Sequence, residues 1–139
     1  MKDLHNNTTD VVILAAVVVA ATGNSGDIDL AGCNACEFVI NTVVDAGTGL
    51  GASHNLVFSL TEADDDGTGS AGDYTAVASA DILGTVPTID STDEDATVYR
   101  FGYTGACRFV KLTWTETGTV SMPVGITMTK GHLRDSPAL

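Results

Sequence analysis

The stretch Ala96–Thr115, ATVYRFGYTGACRFVKLTWT, decides the fold. It holds Tyr99, Phe101, Tyr103, Phe109 and Trp114, most of the aromatic residues of the chain. Tyr99, Phe101 and Tyr103 fall at alternate positions, and so do Val110, Leu112 and Trp114. A period of two in aromatic and β-branched residues is the pattern of strands packed by one face. The stretch reads as two strands joined by a tight turn at Thr104-Gly105, where glycine supplies the positive φ that a short hairpin favours. This hairpin is expected at the centre of a β-sheet core.

The rest of the composition agrees. A chain of 139 residues with 44% hydrophobic content is long enough for one domain with a core and is not disordered. The apolar residues are mainly Val, Ala, Ile and Leu, while Gly and Thr are abundant and charged residues make up only 17%. Strand formers and turn residues therefore outweigh helix formers.

Moving outward along the chain, residues 1–10 read as a polar arm. Val11–Ala21, VVILAAVVVAA, is the most apolar run. Its lead-in lacks the positive n-region of a signal peptide, and the run is shorter than the roughly 20 residues of a membrane-spanning helix. A strand buried on both faces, broken at the alanines, fits best; a short buried helix is the alternative. Gly23-Asn24-Ser25-Gly26 reads as a turn. Asp27–Leu30, Cys36–Val44, Asn55–Thr61, Tyr74–Val77 and Val120–Met128 read as strands, with a brief one ending at Gly84. Pro123 is expected at an edge or bulge, Gly118 at a turn, and the Gly-rich Asp45–Ser53 as a mobile loop. The expectation is a single-domain, all-β antiparallel sandwich or jelly-roll-like fold of about 7–8 strands. It comprises an arm (1–10), the sandwich (11–129) and an extended tail (130–139).

The net charge of −12 is uneven. Residues 1–99 carry sixteen acids and one base, whereas residues 100–139 carry two acids and five bases. Such an acidic chain repels phosphate backbones, which argues against nucleic-acid binding. The basic C-terminal third either faces an acidic partner or neutralises the chain's own acids across neighbouring strands. Two acidic loops stand out, Glu62–Asp73 (EADDDGTGSAGD) and Asp90–Asp95 (DSTDED), together holding nine of the eighteen acids. The first has the look of a calcium loop, with Asp64, Asp66 and Asp73 as candidate ligands. It lacks the alternating carboxylates and closing Glu of a helix-loop-helix site, so a solvated loop is the leading reading. Convergence of the two loops would favour a divalent cation between them.

Cys33, Cys36 and Cys107 are an odd number, against a complete disulfide framework. Cys33-Asn34-Ala35-Cys36 has redox or zinc spacing, but a strand-like segment follows where a redox pair wants a helix start, and a second ligand pair is missing. Small residues at the start of a strand explain the motif better. His5, His54 and His132 are isolated. There is no nucleophile elbow, no zinc-protease motif, and no Lys in the Gly47–Gly51 run, so no phosphate loop. A glycosidase-type carboxylate pair cannot be told apart from solvated acids. No enzyme and no cofactor is expected.

The order of features resembles small structural proteins encoded among the head genes of tailed bacteriophages and gene-transfer-agent-like elements. The matching stretches are Ile28–Gly32 leading into Glu37–Ile40, then Phe58–Asp65, Tyr99–Gly105, Arg108–Leu112 and a close at Gly131-His132. These are strand and turn patterns rather than active-site signatures, and the cysteines belong to none of them. The resemblance implies a virion protein, in first place a decoration (cement) protein on the outer surface of the capsid. Its implied partners are the major capsid protein and further copies of itself, preferably as a trimer, with the two terminal segments reaching a neighbour. A tail or head–tail connector component, and a carbohydrate- or cation-binding sandwich module, are the competing readings. The sugar-binding reading requires an exposed aromatic platform, and the cation-binding one a converged acidic site.

Overall fold

The computed structural model describes residues 7–47, 49–92 and 96–131. Among them lie eleven strands and one turn of 3-10 helix, Ser79–Asp81. The strands are β1 (Thr8–Val19), β2 (Gly23–Asn24), β3 (Ile28–Asp29), β4 (Ala35–Thr42), β5 (Asn55–Ala63), β6 (Thr75–Ala76), β7 (Ile82–Gly84), β8 (Thr88–Ile89), β9 (Val98–Tyr103), β10 (Phe109–Thr117) and β11 (Met122–Gly131). Sheet A has the order β1-β11-β4-β9-β7. Sheet B has the order β2-β10-β5-β6, with β3 also on β10 and β8 also on β5. Every pairing is antiparallel. The long strands from β4 to β11 alternate between the sheets, giving a jelly-roll-like sandwich. The strand total exceeds the expected seven or eight because the extra strands, such as β2 and β8, are two residues long. Gly23 and Asn24, read as part of a turn, pair with Trp114 and Thr113.

Alternation builds the core. Cys36, Phe38, Ile40 and Thr42 of β4 point inward with Met122, Val124, Ile126 and Met128 of β11. They meet Leu56, Phe58 and Leu60 of β5 and Val110, Leu112 and Trp114 of β10 from the other sheet. Phe38 and Phe101 are cross-strand partners stacked at 5.0 Å and 14°.

The organising stretch keeps its facing but not its pairing. β9 and β10 are not a hairpin. Both edges of β9 are taken by β4 and β7, and β10 lies in the other sheet between β5 and the short strands β2 and β3. Residues 104–108 carry the chain across the core, so the two aromatic faces look at each other through it. Tyr103 bridges the sheets, its hydroxyl donating to Glu62 of β5 at 2.6 Å and accepting from the Cys107 N–H at 3.1 Å. Gly105 is not among the positive-φ residues. Glycine is needed there because a Cβ would lie 2.5 Å from the Tyr103 ring. Gly118 does turn the chain with φ 70°, tight against the Ser53 carbonyl.

Two further expectations are corrected. The apolar run is not buried on both faces: β1 is the edge strand of sheet A, with Val12, Val17 and Val18 exposed. The break at the alanines is present, as register shifts between Val12 and Leu14 and between Leu14 and Val17. Pro123 is at neither an edge nor a bulge. It is the second residue of an interior strand, opposite Val18, before the β4 ladder begins at Val124. A missing N–H is tolerated at a strand start, and the Pro123 carbonyl still accepts from the Val43 N–H. At the termini, Thr8–Asp10 belong to β1 and Lys130 and Gly131 to β11. The rest of the arm up to residue 6 and the tail from residue 132 lie outside the described residues.

Candidate functional site

In the acidic loop after β5, Asp65 and Asp66 each turn one carboxylate oxygen back onto the loop itself. Asp65 Oδ1 accepts from the N–H groups of Gly67 and Gly69, and Asp66 Oδ1 from the N–H and hydroxyl of Thr68 and the N–H of Ser70. Asp64 and Asp66 also join the loop's backbone bonds to Gly72 and Ser70. These are Asx-type turns, in which a short carboxylate replaces missing backbone partners. The Gly69 and Gly67 amides, ahead of Arg108, hold the Asp65 carboxyl below its usual range, and the Thr68 hydroxyl does the same for Asp66. Asp64, Asp66 and Asp73 are not gathered: among the described residues, no group of three or more His, Cys, Asp or Glu could hold a metal ion. Asp93, Glu94 and Asp95 of the second acidic loop lie outside the described residues.

The bases of the C-terminal third meet acids from earlier in the chain. Arg108 of the 104–108 crossing binds Asp29 of β3 through Nε and Nη2, at 3.0 and 2.7 Å, and Asp65 through Nη1. Lys111 Nζ reaches Asp27 at 2.9 Å and sits 3.9 Å over the Tyr74 ring, while the Tyr74 hydroxyl donates to Asp27. Arg100 pairs with Glu37 across β9 and β4 at 2.7 Å. The internal-neutralisation reading of that charge asymmetry therefore holds for these three bases. The Arg108 guanidinium holds the Asp29 carboxyl below its usual range, and Lys111 does so for Asp27.

None of the three cysteines forms a disulfide; Cys33 and Cys36 are buried and Cys107 half-buried, and the Cys33 thiol donates to the Leu30 carbonyl at 3.1 Å. Burial pushes Cys36 up to about 12, reinforced by Cys33, and Cys107 up to about 11, reinforced by Asp64. That is the opposite of an activated redox pair. Cys36 is the second residue of β4 and faces the core, as the strand-start reading requires.

All the aromatic side chains fall within the described residues. Phe38, Phe58, Phe101, Tyr103, Phe109 and Trp114 are buried, Tyr99 packs against the core, and the Tyr74 ring is covered by Lys111. The sandwich therefore presents no flat aromatic platform.

What it does present is apolar aliphatic surface on sheet A. Val12 (67% exposed), Val18 (51%), Val43 (53%), Leu83 (58%) and Val98 (58%) stand out of it. Register and burial put them on the outward side: Val12 pairs with Thr127, Val18 with Pro123, Leu83 with Gly102, and Val98 with Asn41. Val43 continues the outward positions of β4. An apolar surface of this kind gave no signal distinct from core in the sequence, because valine alternation looks the same whether the second face meets water, core or a partner.

No family model and no curated protein matches the chain. Solved structures resemble it at the level of architecture. A pilus subunit of Bacillus endospore appendages, described as disulfide-linked pili, is 12% identical with a TM-score of 0.43, over 96% of this chain and 97% of its own. The CBM22-1 xylan-binding domain of Paenibacillus barcinonensis Xyn10C is 12% identical with a TM-score of 0.46, over 93% and 88%. The SPBc2 prophage-derived protein YomS is 12% identical with a TM-score of 0.41, over 89% and 92%.

Proposed function

We propose that this chain is a virion structural protein, a decoration (cement) protein that binds the outer surface of a phage head and stabilises it, with the major capsid protein as its partner. The observation that supports the reading is β1. It is a 12-residue edge strand of alternating and clustered valines, carrying one charged residue, Asp10, and neither Lys nor Pro. Soluble proteins usually blunt such an edge with charge, proline or cover, because its unpaired backbone groups invite another strand. Here only two bulges interrupt it. They leave short regular runs that suit docking to a neighbour better than indiscriminate edge pairing. A sandwich whose long β1 edge carries no partner strand among the described residues suits a clamp between subunits. A clamp stabilises whichever capsid state it binds.

Quantitative mass spectrometry of purified particles tests this. Copies equal to, or a simple fraction of, the major capsid protein are expected. A dozen or fewer would point to a connector or tail component, and absence from particles would overturn both virion readings. A melting temperature raised by calcium or by a sugar would move the binding-module reading to first place.

A further inference from the structure

We infer that the outer face of sheet A is a self-association surface, and that its occupant is a second copy of this chain. The inference does not depend on the virion reading.

The first observation is that the face departs from what strand formation needs. The corresponding face of sheet B holds Ser59, Thr61, Thr113, Thr115 and Thr117 at the outward positions of β5 and β10, with Lys111 and one exposed valine, Val57 opposite Thr115. Threonine is β-branched like valine and fits a pleated surface as well. The outward positions of sheet A include Thr127, Thr129 and Asn41, yet they also hold Val12, Val18, Val43, Leu83 and Val98 exposed, against Val57 alone on β5 and β10. Val18, Pro123 and Val43 lie side by side across β1, β11 and β4, and exposed contiguous apolar surface marks an interaction site.

Charge selects the occupant. The chain carries a net −12, so two copies repel through most of their surface. The strands of sheet A hold only four charged residues, Asp10, Glu37, Arg100 and Lys130. Glu37 and Arg100 neutralise each other, the Asp10 carboxylate accepts from the Thr129 hydroxyl, and Lys130 Nζ turns to the Asp29 carbonyl of the other sheet. A partner recognised by charge finds no complementary pattern here. A second copy meeting this face with its own sets valine against valine and keeps the Glu62–Asp73 loops from facing each other.

Size agrees. The five strands run from three residues in β7 to twelve in β1; at about 3.3 Å per residue and about 4.8 Å between strands they give on the order of 600 Å² of flat sheet. Side-chain relief raises this toward the roughly 800 Å² per partner of a stable interface. Face-to-face docking also leaves the backbone edge of β1 open.

The test is light scattering after size exclusion on the full chain, at physiological and raised salt. The wild type is expected at a multiple of 14.3 kDa, with tighter association at raised salt as the acid–acid repulsion is screened. Val12→Lys and Val43→Lys, made separately, are expected to raise the dissociation constant about tenfold or more, as placing a charge in an apolar contact does. Lysine lowers the net negative charge, so added repulsion cannot explain that loss. Thr115→Lys on sheet B is expected to leave association unchanged, and circular dichroism shows which variants fold, with Val98→Lys replacing any that does not. A wild-type monomer at every concentration, an oligomer that survives the sheet A variants, or one lost equally in Thr115→Lys would each overturn the inference.

Discussion

The two sheets have equivalent inner faces and different outer ones. Inside, Phe38, Ile40, Phe101, Ile126 and Met128 of sheet A meet Leu56, Phe58, Leu60, Leu112 and Trp114 of sheet B in one cluster. Outside, sheet B shows hydroxyls around the Lys111–Asp27–Tyr74 group, and sheet A shows valines around a single ion pair. The fold needs only the inner pattern, since either outer pattern is compatible with a strand. The outer faces therefore carry information that folding did not demand, and sheet A's is the one that costs solubility.

The largest effect should come from breaking what the sheets share. Phe101 is 1% exposed and stacks on Phe38. Phe101→Ala removes a fully buried ring and leaves a cavity, at an expected cost of about 3–5 kcal/mol. Thermal unfolding should show a single transition moved down by many degrees. Two transitions would mean that the sheets unfold separately and that the core is not common to both.

The next target is the crossing between the sheets. Gly105→Ala places a methyl against the Tyr103 ring, which itself holds Glu62 and the Cys107 amide. Overpacking of this kind costs roughly 1–3 kcal/mol. Tyr103→Phe removes the nearest atom, the hydroxyl oxygen, but leaves ring carbons 2.5 Å from the new methyl, so it relieves only part of the clash. A double variant with Tyr103→Ala should recover part of the loss due to Gly105→Ala, and full additivity in chemical denaturation would refute the clash.

A smaller effect separates the sheets by pH. The carboxyls of Asp27, Asp29, Asp65 and Asp66 lie on the sheet B side or in the loop leaving β5, and all are held below the usual carboxylate range. A depressed carboxylate contributes stability that is complete above its unfolded pKa and is lost as pH falls through the folded one. Stability in urea should therefore be level from neutrality to about pH 5 and decline below about pH 4. Arg108→Met should flatten the part of that decline due to Asp29, and less of the part due to Asp65, whose carboxyl the Gly69 and Gly67 amides still hold. A decline beginning near neutrality would point to a different group.

These expectations also mark how far the sequence could be read. Alternation in Cys36–Val44, Asn55–Thr61 and Phe109–Thr115 fixes which side chains face inward, and the structure agrees at each strand. Alternation says nothing about which strand lies alongside, so β9 and β10 read as neighbours when they face each other across the core. The apolar run of β1 reads as central because an edge strand waiting for a partner and a strand already covered have the same residues. The acidic loop did carry a signal: Asp65-Asp66-Gly67-Thr68-Gly69-Ser70 has the Asp-x-Gly and Asp-x-Thr spacing of self-capping turns. That spacing accounts for Asp66 better than calcium does. The ion pairs of Arg108 and Lys111 join residues far apart in sequence, and only the folded register brings them together.

The smallest effect on stability is the sharpest test of the two outer faces. Val12→Thr and Thr115→Val exchange near-isosteric residues at exposed outward positions, one on each sheet. Neither fills nor empties the core, so each should change stability by no more than about 0.5 kcal/mol. Their effects on association should differ. Val12→Thr places a hydroxyl in the apolar face of sheet A and should weaken self-association, by less than Val12→Lys because no charge is buried. Thr115→Val pairs one added valine with Val57 on a face otherwise made of Ser59, Thr113 and Thr117, too little for a new interface, and should leave the mass in solution unchanged. If both substitutions left association untouched, the valines of sheet A would be ordinary exposed strand residues and the contrast between the faces would carry no function. If Thr115→Val alone drove association, the interface would lie on sheet B.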